Sequence, residues 1–264
     1  MIRLVDIIRC IAIHGALLLA LTHTGGASVD TFDLHQAIAE ARPGSTITVP
    51  AGEYNGPIEI HKPLSLIADG NVIINGGGEG DVLTVQASDV TIRGFTIEHT
   101  GKSLDRENAG ITVLKPRVTI ENNTLRDVLF GIYLKKAGHS VLRNNTIGGK
   151  DLDIARRGDG IRLWYSPHVL IEDNTVSNSR DAVMWFSDNV TLRNNRVTDG
   201  RYGLHFMYSD DNVLEGNRLK RNSVGAFLMY SRNLTLRENV FMRNRGPSGY
   251  GIGLKDMDRV VAEN

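Results

Sequence analysis

The stretch VTIENNTL, Val118 to Leu125, returns as SVLRNNTI (Ser140 to Ile147), VLIEDNTV (Val169 to Val176), VTLRNNRV (Val190 to Val197), NVLEGNRL (Asn212 to Leu219) and LTLRENVF (Leu234 to Phe241). One asparagine recurs throughout, at Asn123, Asn145, Asn174, Asn195, Asn217 and Asn239, and Asn264 closes the series. The spacings are 22, 29, 21, 22, 22 and 25, a period near 22 with insertions. Around each asparagine the pattern is apolar-polar-apolar, a short polar turn, then another apolar residue. Alternation of period two marks short strands. Short strands repeating at one fixed interval mark a solenoid, in which like residues stack about 4.8 Å apart. The expected fold is therefore all-β, a right-handed parallel β-helix of about 22 residues per coil, with the asparagines as an internal amide ladder at a tight bend.

A second register carries the same period. Gly110, Gly131, Gly160, Ala182, Gly203, Gly225 and Gly251 each precede an alternating strand, namely ITVL, IYLK, IRLW, VMWF, LHFM, AFLM and IGLK. A small residue at each return fits a tight bend or close packing. Before the ladder, Asp33 to Ala41 places Leu34, Ala37, Ile38 and Ala41 at helical spacing, and Pro43-Gly44 ends the run. A short helix there would cap the open end of the solenoid, whose edge would otherwise invite pairing with another chain. TITVPAGEY, PLSLIADG and DVLTVQASDVTIRGFTI supply the opening strands. Segments 99–108, 148–158 and 245–250 fall outside the repeat and read as loops, where solenoids place recognition.

The N-terminus has Arg3 and Arg9, an apolar run from Ile11 to Leu21 broken by His14, then Gly25 and Ala27 at small-residue positions. This is the pattern of a secretory signal peptide over residues 1–27, leaving residues 28–264 as one β-helix domain. The run is shorter than the roughly 20 residues of a membrane span. Cys10, the single cysteine, lies in the signal segment. The processed chain offers no thiolate, so a soft-metal site would rest on methionine and histidine. The chain ends at VVAEN, as a further asparagine rung is completed, and a C-terminal truncation is expected. Thirty basic residues balance thirty acidic ones, which argues against a nucleic-acid partner.

Counting from each small residue, the first and third strand positions are apolar: Ile132 and Leu134, Ile161 and Leu163, Val183 and Trp185, Leu204 and Phe206, Ala226 and Leu228, Ile252 and Leu254. They are expected inside. The second and fourth then point outward, and Trp164, Met184, Phe186, Met207, Phe227 and Met229 form an apolar patch, with Tyr133 and Lys135 at one edge and Lys255 at the other. A soluble chain rarely leaves such a patch uncovered, and methionine and aromatic residues suit a partner-binding face. His205, Met207 and Met229 are also candidate Cu(I) ligands, because thioether and imidazole are donors that copper accepts. A third reading covers part of the face with a segment missing from this chain.

An enzyme reading stands beside these. Asp159 and Asp181, just before the small position on adjacent coils, could serve as the carboxylate pair of a retaining glycosidase. Arg156, Arg157 and Arg180 could bind uronate carboxylates in a lyase. Aspartate beside a turn glycine is also common for turn chemistry alone. His35, His61, His99, His139 and His168 are scattered over cap, loops and bends and read as surface histidines.

TITVPAGEYNGPIEIHKPLSLIADG (Thr46 to Gly70), GGGEGDVLTV (Gly76 to Val85), RRGDGIRLWYSP (Arg156 to Pro167) and above all GRYGLHFMYSDDNVLEGN (Gly200 to Asn217) followed by GAFLMYS (Gly225 to Ser231) resemble the NosD family, periplasmic maturation proteins of nitrous oxide reductase. The tandem HFMYS and FLMYS segments are far more specific than a generic β-helix repeat. The resemblance implies a periplasmic, non-enzymatic accessory protein for copper-centre assembly. It further implies partnership with the permease and ATPase of an ABC transporter, a membrane-anchored copper chaperone lipoprotein and the reductase. It places copper contact at His205, Met207 and Met229. Members of that family are generally longer than this chain.

Overall fold

A computed structural model describes residues 32–247 and 249–263; the segment expected to be a signal peptide, Cys10 and Asn264 lie outside the described residues. Residues Leu34–Glu40 form helix α1, whose Asp33 cap accepts a hydrogen bond from the Gln36 amide at 3.0 Å. This satisfies one of the donors that a helix start leaves free. Leu34 and Ile38 are buried in the main core, so the helix packs onto the solenoid through the expected stripe. Among the described residues no helix is long and apolar enough to cross a membrane.

Everything after α1 is parallel β-helix. Nine strands stack in one sheet, beginning with Ile58–Ile60 and ending with Ile252–Lys255, and seventeen more wrap the other sides. The first coils make two sides from one long strand each, Ser45–Asn55 and Leu64–Asn75. Later coils break that strand in two, as in Val118–Glu121 and Thr124–Val128. Asparagine causes the break. Asn123 Oδ1 accepts the buried amide of Phe95 in the preceding coil, and Asn123 Nδ2 donates to Ile92 O at 3.0 Å and Asn145 Oδ1 at 3.2 Å. The motif repeats through Asn145, Asn174, Asn195, Asn217 and Asn239. Backbone groups at a bend between strands cannot join the ladder of either strand, and the amide side chain supplies both the donor and the acceptor they need.

A second polar column occupies another corner. Ser166 Oγ accepts from the Ala137 amide, Ser187 from Ser166, Ser209 from Ser187 and Ser231 from Ser209, each at 2.9–3.0 Å. Between these corners the inward columns are apolar and sealed. Ile111, Ile132, Leu134, Leu163, Phe206 and Leu228 have at most 1% of their surface exposed.

The glycine column is a close-approach column. A Cβ on Gly131 would lie 2.2 Å from Gly160 O, one on Gly203 2.4 Å from Gly225 O, and one on Gly225 2.3 Å from Gly251 O. The coil that carries Ala182 departs from the pattern. Only 21 residues separate Asn174 from Asn195, and the strand Asp181–Trp185 pairs Ile161 with Ala182, Leu163 with Met184 and Trp164 with Trp185. A bulge then restores the register, with Val183 opposite His205 and Trp185 opposite Met207. Asp181 thus follows Gly160 in the column, and the side chains of this coil exchange faces, as a one-residue slip requires. Met184 is fully buried in the core, not on the outer patch. Trp185, expected inside, stands outside.

Candidate functional site

The outer side of the nine-stranded sheet carries three columns that meet on coils Ile161–Trp164, Asp181–Trp185, Tyr202–Met207 and Val224–Met229. The middle column is Lys135, Trp164, Trp185, Met207, Met229 and Lys255, each opposite the next in register. Met207 and Met229 are therefore direct neighbours on adjacent strands, both half-buried. Trp185 adjoins Met207 on the other side and meets Trp164 edge-on, with ring centroids 5.8 Å apart.

The column at the corner explains why Met-Tyr-Ser occurs twice. Tyr165, Phe186, Tyr208 and Tyr230 all adopt positive φ, between 49° and 52°. Their rings stack face to face at 4.7, 5.2 and 5.0 Å. In each repeat the methionine or tryptophan faces outward, the aromatic turns the corner, and the following serine points inward as the amide cap described above. Stacking offsets a backbone conformation that bulky residues avoid. Phe186 therefore lies in this aromatic column, beside Trp164 at 5.2 Å. The sequence signal was the aromatic-Ser pair at 21- and 22-residue intervals: Tyr165-Ser166, Phe186-Ser187, Tyr208-Ser209 and Tyr230-Ser231.

The third column is Tyr133, Arg162, Val183, His205 and Phe227. Its first half is covered. Leu104 and Leu152, from two of the loops that leave the coils, pack against a satellite cluster of Ala109, Leu129, Phe130 and Tyr133. Tyr133 is only 4% exposed, and its burial pushes the phenol up to about 12. The patch is thus open over the later coils and roofed over the earlier ones by the chain's own loops.

His205 lies on the outer side of the sheet but is buried, 5% exposed, against Tyr202 and Trp185 at 5.1 and 5.8 Å. The expected open position is corrected by these two rings. Its Nδ1 lies 3.2 Å from Asp181 Oδ2. Burial alone would raise the Asp181 carboxyl; hydrogen bonds from His205 and Arg201 outweigh that effect and hold it below the usual carboxylate range. An ionised carboxylate only accepts, so Nδ1 carries a proton and donates. Nε2 of His205 is buried with no hydrogen-bond partner. A carboxylate behind an imidazole is the arrangement that fixes the tautomer of metal-binding histidines. Among the described residues no group of three or more His, Cys, Asp or Glu is placed to hold a metal. The Met207 and Met229 thioethers and the His205 imidazole share the outer face of the sheet, and thioether and imidazole are donors that Cu(I) accepts.

Asp159 and Asp181 are close enough to influence each other, and their acidities are split. Burial, reinforced by the Asp181 charge, raises Asp159 to about 6 against the opposing pull of Arg180 and Arg162. Such a split is the electrostatic pattern of an acid and base pair. Access is the obstacle: both carboxylates are 1% exposed. Asp159 is paired with Arg180 at 3.2 Å and Asp181 with Arg201 at 2.5 Å. Arg162 lies over Phe130, Tyr133 and Trp185 and reaches Glu107 at 3.1 Å. Of the three arginines proposed for uronate, Arg180 is tied to Asp159, Arg157 donates to Leu152 O and Asp199 O, and Arg156 lies in the exposed loop. They form no common site. Of the scattered histidines, His139 and His168 stack at 4.7 Å on adjacent coils.

Residues 144–264, the part that carries the open patch, match the family NosD, described as "Periplasmic copper-binding protein (NosD)". A probable ABC transporter binding protein NosD of Pseudomonas aeruginosa PAO1 is 33% identical over 137 residues, covering 51% of this chain and 32% of that protein. A protein of the same description from Stutzerimonas stutzeri is 31% identical over 170 residues, covering 59% of this chain and 39% of that protein. The chain thus spans less than half the length of these two curated relatives. Among solved structures, an alginate lyase from Paenibacillus sp. FPU-7 superposes with a TM-score of 0.58 at 13% identity, over 86% of this chain and 96% of that one. At that identity the likeness shows the β-helix fold alone.

Proposed function

We propose that this chain, a NosD-type protein by the match of its later coils, is a periplasmic accessory protein that handles copper for assembly of the copper centres of nitrous oxide reductase. The observation that carries the reading is the pairing of Met207 with Met229 on adjacent strands, on the same sheet face as His205, whose Nε2 is buried and unpartnered. Thioethers bind Cu(I) well and harder cations poorly, so these three residues would select the reduced ion as cargo. Asp181 orients the imidazole; Trp185 and Tyr202 exclude water from it. The aromatic and methionine columns around them, Trp164, Trp185, Phe186, Phe227 and Met229, offer an adaptable apolar surface for a protein partner. The partners in this reading are the permease and ATPase of an ABC transporter, a copper chaperone lipoprotein and the reductase. The names of the relatives, ABC transporter binding proteins, support the first of these. A polysaccharide lyase or hydrolase is the weaker alternative, because its carboxylates Asp159 and Asp181 are sealed from any polymer.

The test is an anaerobic competitive Cu(I) titration of the processed protein beside the Met207→Ala/Met229→Ala double variant. Stoichiometric binding by the wild type, lost in the variant, is expected. Equal binding by both, or none by either, would remove copper from this stripe and leave a docking surface.

A further inference from the structure

On most of this solenoid, neighbouring coils do not stack like charges. Arg93, Glu121, Arg143, Glu172 and Arg193 alternate in sign up one column, with ion pairs of 3.8, 3.2, 3.7 and 2.5 Å. At the corners Asp89 takes Arg117, Asp199 takes Arg221 and Asp210 takes Arg232, at 2.8, 2.7 and 3.0 Å. The physical reason is the short repeat: like charges directly opposite on adjacent strands repel, and opposite charges attract.

One region stacks cations with no carboxylate between them. On the strands Arg196–Thr198 and Arg218–Lys220, Arg196 lies directly opposite Arg218. Arg243 continues the corner column above Arg221, whose amide bonds Met242 O, and Arg245 follows it. Arg196, Thr198, Arg218, Lys220 and Met242 line one cleft. Arg243 and Arg245 line a second that shares Arg221 with it. Of these cations only Arg221 takes part in an ion pair among the described residues. In a chain of zero net charge, five cations gathered without carboxylates are a local excess with a direction.

We infer that this cleft docks an acidic polypeptide segment carrying an apolar side chain. Arg196 and Arg218 offer guanidinium groups that pair with carboxylates in forked geometry. Val240 and Met242, which line the same cleft, give an apolar side chain a place beside them. A flat anionic membrane fits less well: Glu238, exposed at the corner before Val240, and the neighbouring Asp199 would meet the same bilayer surface. A single extended segment can run between them. The surface is separate from the methionine stripe, and nothing in it depends on copper.

The experiment uses the processed protein and a fluorescein-labelled peptide of repeated Glu-Glu-Leu-Asp units, read by anisotropy at low and physiological salt. Binding that weakens with salt is expected, with loss of about tenfold or more in Arg218→Glu/Lys220→Glu and no loss in Arg232→Gln, a charge removed elsewhere. Arg218→Gln guards against misfolding: it should weaken the peptide while leaving the thermal midpoint equal to or above that of the wild type, because a like-charge stack is relieved. No binding by the wild type, or equal binding by wild type and Arg218→Glu/Lys220→Glu, overturns the proposal. Patch-dependent binding of phosphatidylglycerol vesicles without binding of the peptide overturns it too, in favour of a membrane.

Discussion

Replacing Asn195 by Ala removes the middle rung of the amide ladder, and its cost can be worked from the bonds. Asn195 Oδ1 accepts from the Asn174 amide at 3.0 Å and from Asn174 Nδ2 at 3.1 Å; its Nδ2 donates to Ile171 O at 2.8 Å and Asn217 Oδ1 at 3.0 Å. Two of the partners keep other bonds. Asn174 Nδ2 still donates to Leu142 O and Glu172 O, and Asn217 Oδ1 still accepts from the Asn195 amide. The Asn174 amide does not, and Asn195 is 2% exposed, so water has no easy access. An orphaned buried donor costs roughly 1–3 kcal/mol and each of the three other lost bonds about 1 kcal/mol, which gives about 5 kcal/mol in all. Urea denaturation followed by circular dichroism should therefore show a loss of about 5 kcal/mol. In a solenoid each coil is held by its neighbours, so a lower slope would also report that the coils on either side no longer unfold together. A loss below about 1 kcal/mol would mean that these side-chain bonds are replaced without cost, and the account of the corner would fail. Asn195→Asp sharpens the test. Its buried carboxyl, facing two acceptors, is favoured in the protonated form, so its stability should fall as pH rises through the raised pKa of the folded state.

Other perturbations follow from the same geometry. Gly203→Ala should destabilise by roughly 1–3 kcal/mol or more, because its Cβ would meet backbone at 2.4 Å, whereas Gly148→Ala, whose nearest neighbour is at 3.7 Å, should be tolerated; paired thermal melts compare them. Asp159, raised to about 6 in the folded protein from 3.8, favours folding in its protonated form. Its contribution is present below pH about 4 and lost as pH rises through about 6. Melting midpoints across that range should show the decline in the wild type and lack that component in Asp159→Asn; an identical profile in both would refute the assignment. Asp181 acts in the opposite sense, its lowered value stabilising the fold above the usual carboxylate range and failing as pH falls below it.

The solenoid was legible because its signal is redundant. Six asparagines at nearly one interval, each inside the same alternation, leave few other ways to satisfy buried bends, and hydrogen bonds join all six, Asn123 to Asn239. The helix was legible because capping and apolar spacing act within a few residues: Asp33, Leu34 and Ile38 do what their positions imply. The site was legible only in outline. Met207, Met229 and Phe227 fall on the outer columns as alternation requires. Met184 does not, because the preceding coil is one residue short and its strand slips by one. That slip was visible in the 21-residue spacing but its consequence was not. A missing residue can be absorbed at either end of a strand, and alternation reads the same until the partner strand fixes the register.

What the sequence by itself determined is everything that repeats or acts locally: the period, the corner asparagines, the close-packed glycines and the helix cap. Tertiary structure decided what depends on contacts between distant residues. It placed Leu104 and Leu152 over Tyr133, sealed His205 between Tyr202 and Trp185, and turned Asp159 and Asp181 from open carboxylates into buried, arginine-bound ones. Loops have no period to betray where they fold back, and an alternating strand shows which side of the sheet a residue faces but not what comes to lie on it.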